Sequence, residues 1–224
     1  MTREDKRRAI LAGALTVFAR DGYTRASIDV IARTAEVSTR TIYNHFADKA
    51  DLFQTVIQES ATRAADAQIA IIDRHLRKVT DLEADLIEFG HAITAPAVAG
   101  QSEHFALVRQ VNAEAVHVPR AAIDAWQETG PLRVRRELAG HLRRWTEQGL
   151  LHAEDPDRAA VHLLLLISVG DPSYPGDVLT DEEIGRTVTS GVRAFLHGYL
   201  QEPEGAVLSS AEQHLPRTAS PPTE

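Results

Sequence analysis

The chain has 224 residues, 43% of them hydrophobic, and a net charge of −8, with 24 Lys and Arg against 32 Asp and Glu. This composition excludes a chain too polar to collapse, and the length is enough to bury a sizeable core without covalent staples. Cys is absent, which excludes a disulfide framework and any thiolate metal site.

Alternating strand patterns are nearly missing, and apolar residues recur every three or four positions, so an all-α fold is expected. Thr2 followed by Asp5 forms a capping-box pattern ahead of a first helix with the stripe Ile10, Leu11, Ala14, Leu15 and Phe18. Asp21-Gly22 stops it, with Gly22 suited to a left-handed conformation. Ser27 caps a short second helix whose inner face is Ile28, Ile31, Ala32 and Ala35. Ser38 caps a third, shorter helix reaching about His45, with Ile42 inward and Phe46 just beyond. Asp48 caps a long fourth helix that begins its stripe with Leu52, Phe53, Val56 and Ile57.

Past residue 76 the pattern predicts helices near 80–95, 102–117, 119–148, 156–170 and 181–200. Pro131 breaks or kinks the third of these, and Gly149 ends it. Asp155-Pro156 opens the next. Residues 170–177 read as a loop, and 202–224, with few large apolar groups, as a disordered tail. The expected organisation is an N-terminal three-helix domain over residues 1–47 and a second helical domain over 48–201, followed by the tail at 202–224. The charged start of the chain is no export signal. The most apolar run, Ala159 to Val169, is far shorter than the roughly 20 residues of a membrane span, so the expected location is the cytoplasm, with no membrane partner.

Charge is uneven along the chain. Residues 1–53 hold nine Lys and Arg against seven Asp and Glu, a balance of +2, and the remainder holds 15 against 25, a balance of −10. The basic part contains two short helices joined by a tight turn, the helix-turn-helix pattern. The face that Ile28, Ile31, Ala32 and Ile42 leave outward on the third helix carries Ser38, Thr39, Arg40, Thr41, Tyr43, Asn44 and His45. All can hydrogen-bond and none is acidic. Such a helix suits the major groove, where Arg can pair with guanine and Asn with adenine, and the N-terminus of helix four can meet a phosphate.

The stretch from Ser27 to Leu52, with Ile31-Ala32, Ala35-Glu36-Val37-Ser38, Ile42-Tyr43-Asn44-His45-Phe46 and Lys49 to Leu52 at fixed spacing, resembles the DNA-binding signature of TetR/AcrR-type transcriptional regulators, and Phe18 to Tyr23 fits the same pattern. The resemblance covers about residues 5–55. It implies that Tyr43, His45 and Lys49 meet the DNA backbone. It likewise places Ser38, Thr39 and Arg40 at bases or phosphates, and Thr24, Arg25 and Ser27 at the backbone beside helix two. Phe46 and Leu52 match core positions. Glu36 stands where the family usually has Gly, so it must adopt a turn backbone and sets a negative charge near the DNA face.

By the same resemblance, residues 48–201 form a sensor and a dimer surface, and the partners are double-stranded operator DNA, a second copy of the chain and a small-molecule effector. Two apolar helices supply the expected interface: Val161, Leu164 and Leu165 on one, and Val188, Val192, Phe195 and Tyr199 on the other. A homodimer favours a palindromic operator. Candidate pocket residues are Phe89, His91, His104, Phe105, Arg109, Asn112, His117, Trp126 and Trp145, with Arg109 suited to an anionic or aromatic compound. The resulting reading is an effector-released repressor. The alternative is a helical protein-interaction module that has lost DNA binding, motivated by Glu36. No H-E-x-x-H, Gly-rich phosphate loop or G-x-S-x-G occurs, so no enzyme is expected. Glu114 with His117 and Glu137 with His141 could each share a helix face, but one such pair is weak evidence, and neither a metal nor a cofactor is expected.

Overall fold

The caps written in the sequence close the helices of the N-terminal part. A computed structural model of the chain describes residues 2–98, 102–168 and 180–200. In it the Asp5 N–H donates to the Thr2 hydroxyl at 3.1 Å while the Thr2 N–H donates to the Asp5 carboxylate at 2.9 Å. Ser27, Ser38 and Asp48 each accept the N–H three residues on, from Val30, Thr41 and Asp51. Each such cap is worth about 1 kcal/mol.

Ten helices and no strand follow among the described residues: α1 Arg3–Arg25, α2 Ile28–Thr34, α3 Thr39–Tyr43, α4 Lys49–Leu76, α5 Leu82–Val98, α6 Ser102–Ala113, α7 Arg120–Thr129, α8 Pro131–Glu147, α9 Pro156–Leu166 and α10 Asp181–Tyr199. The fold is all-α, with an N-terminal helix-turn-helix domain and a C-terminal helical domain. Three boundaries differ from expectation. The chain leaves helical geometry at Gly22 (φ 76°, ψ 178°) but then makes a further turn to Arg25. The break expected at Pro131 is present: the stretch 119–148 splits into two helices at Gly130, and Pro131 opens the second, where its missing N–H breaks no helical bond. Helices α6 and α9 end at Ala113 and Leu166, each four residues short of expectation. The expected loop at 170–177 and the expected tail at 202–224 lie outside the described residues.

Side chains collect into two cores. The first joins Phe18 and Ile10 of α1, Ile31 of α2 and Ile42 of α3 to Phe53 and Ile57 of α4. Phe18 and Tyr23 each meet the Phe53 ring edge-on with centroids 4.9 Å apart. The second packs the distal half of α4 against α5, α8, α9 and α10 around Ile72, Phe89, Leu138, Leu163 and Phe195. The first core does not stop at residue 47. Leu107 and Val111 of α6 and Ala122 of α7 are buried in it, so helices of the C-terminal domain complete the N-terminal core. Helix α4, with 28 residues and a length of about 42 Å, runs through both.

Candidate nucleic-acid interface and interhelical cavity

The turn between α2 and α3 is closed by the Val37 N–H donating to the Ala32 carbonyl at 2.9 Å. Glu36 sits inside it at φ 54°, alone among the described non-glycine residues in the left-handed region. This is the backbone that a glycine would adopt without strain. Helix α2 lies close on α1, where a Cβ on Gly13 would stand 3.0 Å from the Ala35 Cβ. Ile31, Ala32 and Ile42 are buried under this pair of helices. Arg40, Tyr43 and Asn44 consequently stand exposed on the outer face of α3, Tyr43 with more than half its surface in solvent. Thr39 and His45 are half-buried at its edges. The Ser38 and Thr41 hydroxyls lie 2.8 Å apart and bond each other, which holds the first turn.

Thr24, Arg25 and Ser27 are exposed beside this face. Lys49 does not project with them. Its ammonium donates to the carbonyls of Tyr23 at 2.9 Å, Ala26 at 3.1 Å and Thr24 at 3.4 Å, and it lies 4.6 Å from the Tyr23 ring centroid. Expected at the DNA backbone, Lys49 instead ties the start of α4 to the end of α1. The carbonyls left open by the break at Gly22 draw the cation inward. Arg7 is similarly engaged, 3.0 Å from the Glu59 carboxylate.

A cavity of about 340 Å³ lies between α4, α5, α6, α7, α8 and α9. Ala61, Ala64 and Ala65 of α4 leave the space. Ile93, Phe105, Val108, Trp126, Val134, Leu164 and Ile167 give it apolar walls, and Gln68, Thr94, His104, Arg135 and Ser168 add polar groups. The His104 Nδ1 lies 2.9 Å from the Ser60 hydroxyl. Burial first, and the nearby positive charge of Arg63 second, push the imidazole below the ordinary histidine pKa of 6.5, which favours the neutral ring.

Of the expected pocket residues, His104, Phe105 and Trp126 line this cavity. Phe89 and Trp145 are buried in the second core, because aromatic side chains at helical spacing pack inward. His91, Arg109, Asn112 and His117 are exposed and do not line it. The alanines of α4 were missed. Their signal is a run of small residues, at 61, 64, 65 and 67, on a helix that otherwise carries large ones.

Helix α6 carries a second feature that spacing alone does not display. His104, Phe105 and Val108 face the cavity, and the neighbouring face grips α1. The Glu103 carboxylate accepts the Thr16 hydroxyl at 2.8 Å. Just past the end of α6, the Glu114 carboxylate accepts the Thr24 N–H at 2.8 Å. A Cβ on Gly22 would stand 2.5 Å from the other Glu114 oxygen, so only glycine admits both the break in α1 and this carboxylate.

The expected dimer residues divide. Val188, Val192 and Phe195 are fully buried against the chain's own α5 and α9, so the α10 stripe is intramolecular core. A Cβ on Gly90 would press 2.5 Å from Val188, a measure of how close α5 lies. Tyr199 is half-buried, stacked on Phe195 with its hydroxyl 2.7 Å from the His162 Nδ1. Leu164 faces the cavity and Val161 is half-buried. Leu165 (66% exposed) and its neighbour Leu166 (40%) remain in solvent. No helix of the described residues is long and apolar enough to cross a membrane.

Residues 10–56 match the sequence model of the bacterial regulatory proteins of the tetR family, and residues 84–201 match that of the C-terminal domain of AefR-like transcriptional repressors. The chain is 35% identical over 81 residues to a transcriptional activator, FasR, of Mycolicibacterium smegmatis. It is 37% identical over 84 residues to a DNA-binding transcriptional repressor, TetR, of Mycobacteroides abscessus. These matches span 36% and 38% of this chain, and 35% and 40% of those relatives. Among solved structures, a TetR-family regulator of Pseudomonas syringae superposes with a TM-score of 0.68 at 28% identity, over 89% of this chain and 98% of that one. The flavonoid-responsive regulator FrrA superposes at 0.64 and 26% identity, over 88% and 98%. With both halves matched and the helix-turn-helix in place, the chain belongs to the TetR family of transcriptional regulators.

Proposed function

We propose that the chain represses transcription by binding a palindromic operator in double-stranded DNA as a homodimer, and that a small molecule entering the cavity releases it. One observation carries this reading. A single helix, α6, is both a wall of the cavity and a clamp on α1, through Glu103 to Thr16 and Glu114 to Thr24. A ligand that moves Phe105 or Val108 therefore shifts the frame on which α2 and α3 stand. Helix α4 offers a parallel route, since Ala61 to Gln68 line the cavity and its first turn holds α1 through Lys49. The coupling of such an element is typically worth about 1–3 kcal/mol, or about 5–150-fold in affinity.

Arg40, Tyr43 and Asn44 reach the DNA, with Arg25, Thr24 and Ser27 alongside. Thr39 and His45 flank them, and Ser38 and Thr41 order the helix start. The repressor and the flavonoid-responsive protein among the relatives support repression and small-molecule response. The test is selection of bound fragments from genomic DNA, followed by titration at several salt concentrations. Binding that falls steeply with salt, and by at least tenfold in Arg40→Ala and Tyr43→Ala, is expected (about 1.4 kcal/mol). A purified chain that binds no fragment at low salt would be the protein-interaction module instead.

A further inference from the structure

A buried histidine and two carboxylates converge where the distal end of α4 meets α8, outside the cavity and the DNA face. His141 is 1% exposed. Its Nδ1 lies 3.0 Å from the Leu76 carbonyl oxygen, which can only accept, so Nδ1 carries the ring proton and donates it there. The lone pair is thereby left on Nε2. That atom is buried and has no hydrogen-bond partner among the described residues. It points at the Asp73 Oδ1, 3.5 Å away, and the Glu137 Oε1, 3.8 Å away. The three ligand atoms lie within 4.8 Å of one another.

Three acceptors turned on one another are mutually repulsive unless a cation lies between them. A proton on Nε2 is one such cation, but a charge-assisted N–H to carboxylate bond spans about 2.7–2.9 Å, well short of either distance here. A tetrahedral zinc ion with ligands at about 2.0–2.2 Å holds neighbouring ligand atoms about 3.4 Å apart, close to both. The Nδ1–H bond to a backbone carbonyl is also the outer contact that orients a metal-bound imidazole and fixes its tautomer. Glu137 and His141, four residues apart, share one face of α8, and Asp73 approaches from α4. Among the described residues the ion-pair partner of each carboxylate is His141 itself.

We propose that Asp73, Glu137 and the His141 Nε2 form a site for a divalent transition metal of the zinc type. One imidazole with two carboxylates suits zinc and its neighbours better than magnesium or calcium, which take oxygen ligands. The carboxylates are 54% and 40% exposed, so a water molecule can complete the sphere from the solvent side. Metal bound here joins the far end of α4 to α8.

The test uses the full-length chain, stripped with chelator and titrated with Zn2+ by calorimetry and by thermal unfolding. Saturable binding of one Zn2+ per chain, with a rise in Tm, is expected. In Asp73→Asn and Glu137→Gln, whose side chains are solvent-exposed and whose folding is checked by circular dichroism, the affinity should fall by about a hundredfold or more. Mg2+ should not raise the Tm. Absence of saturable Zn2+ binding, an affinity in both variants equal to that of the parent chain, or an equal response to Mg2+ would each overturn the assignment.

Discussion

Lys49 and His104 show how surroundings decide what a side chain does. Lys49 has the charge of a phosphate ligand, yet three carbonyls and the face of Tyr23 hold it inside. Lys49→Met keeps the stem and removes those contacts. It should lower the unfolding free energy by about 1–3 kcal/mol, read from the denaturant midpoint. For His104 the sign follows from its lowered pKa. Above the ordinary value of 6.5, folded and unfolded chains both carry a neutral ring. As pH falls through 6.5 the unfolded chain takes the proton first, so stability declines until the lower folded-state pKa is reached. Between pH 7 and pH 5, His104→Phe should lose less stability than the parent chain, compared by urea titration at each pH. An equal loss in both would remove His104 as a source of acid sensitivity.

Helices α6 and α10 carry the division of labour. The inner stripe of α10 is consumed within its own chain, and Gly191 lets it lie directly on the Leu166 carbonyl. Helix α6 instead divides its faces between the cavity and α1. Glu114→Ala removes the acceptor for the Thr24 N–H and loosens the segment leading into α2. The expected result is an operator affinity at least about fivefold weaker, with the slope against salt unchanged because Glu114 meets no phosphate. A change in slope would mean that Glu114 acts through the electrostatics of the DNA face rather than through position.

The proposed assembly of two chains would turn one recognition helix into a reader of successive grooves. Of the residues expected at the dimer surface Leu165 stands most exposed, with its neighbour Leu166 beside it on α9, and burying them in a partner would be favourable by about 25 cal/mol per Å² of apolar area. Leu165→Glu places a charge in that contact without touching the chain's own core. Sedimentation should show the dimer dissociation constant raised by about tenfold or more, with operator affinity falling alongside. A variant that stays dimeric would move the interface elsewhere.

Much of the N-terminal architecture was legible in local sequence. The caps at Thr2, Ser27, Ser38 and Asp48 and the break at Gly22 are set by neighbours within a few residues, and the outward row on α3 follows once Ile42 is turned inward; the turn at Glu36 was implied by the resemblance, and its left-handed backbone was decided by the structure. Periodicity likewise distinguished helix from strand across the described residues, because the apolar repeat depends only on the helical pitch. It could not say which of several apolar faces meets which. That Val188, Val192 and Phe195 fold onto α5 and α9, that alanines of α4 open a cavity, and that Glu114 reaches Thr24 ninety residues away all depend on how helices cross. Those contacts join positions far apart in the chain, and no local pattern encodes their distance.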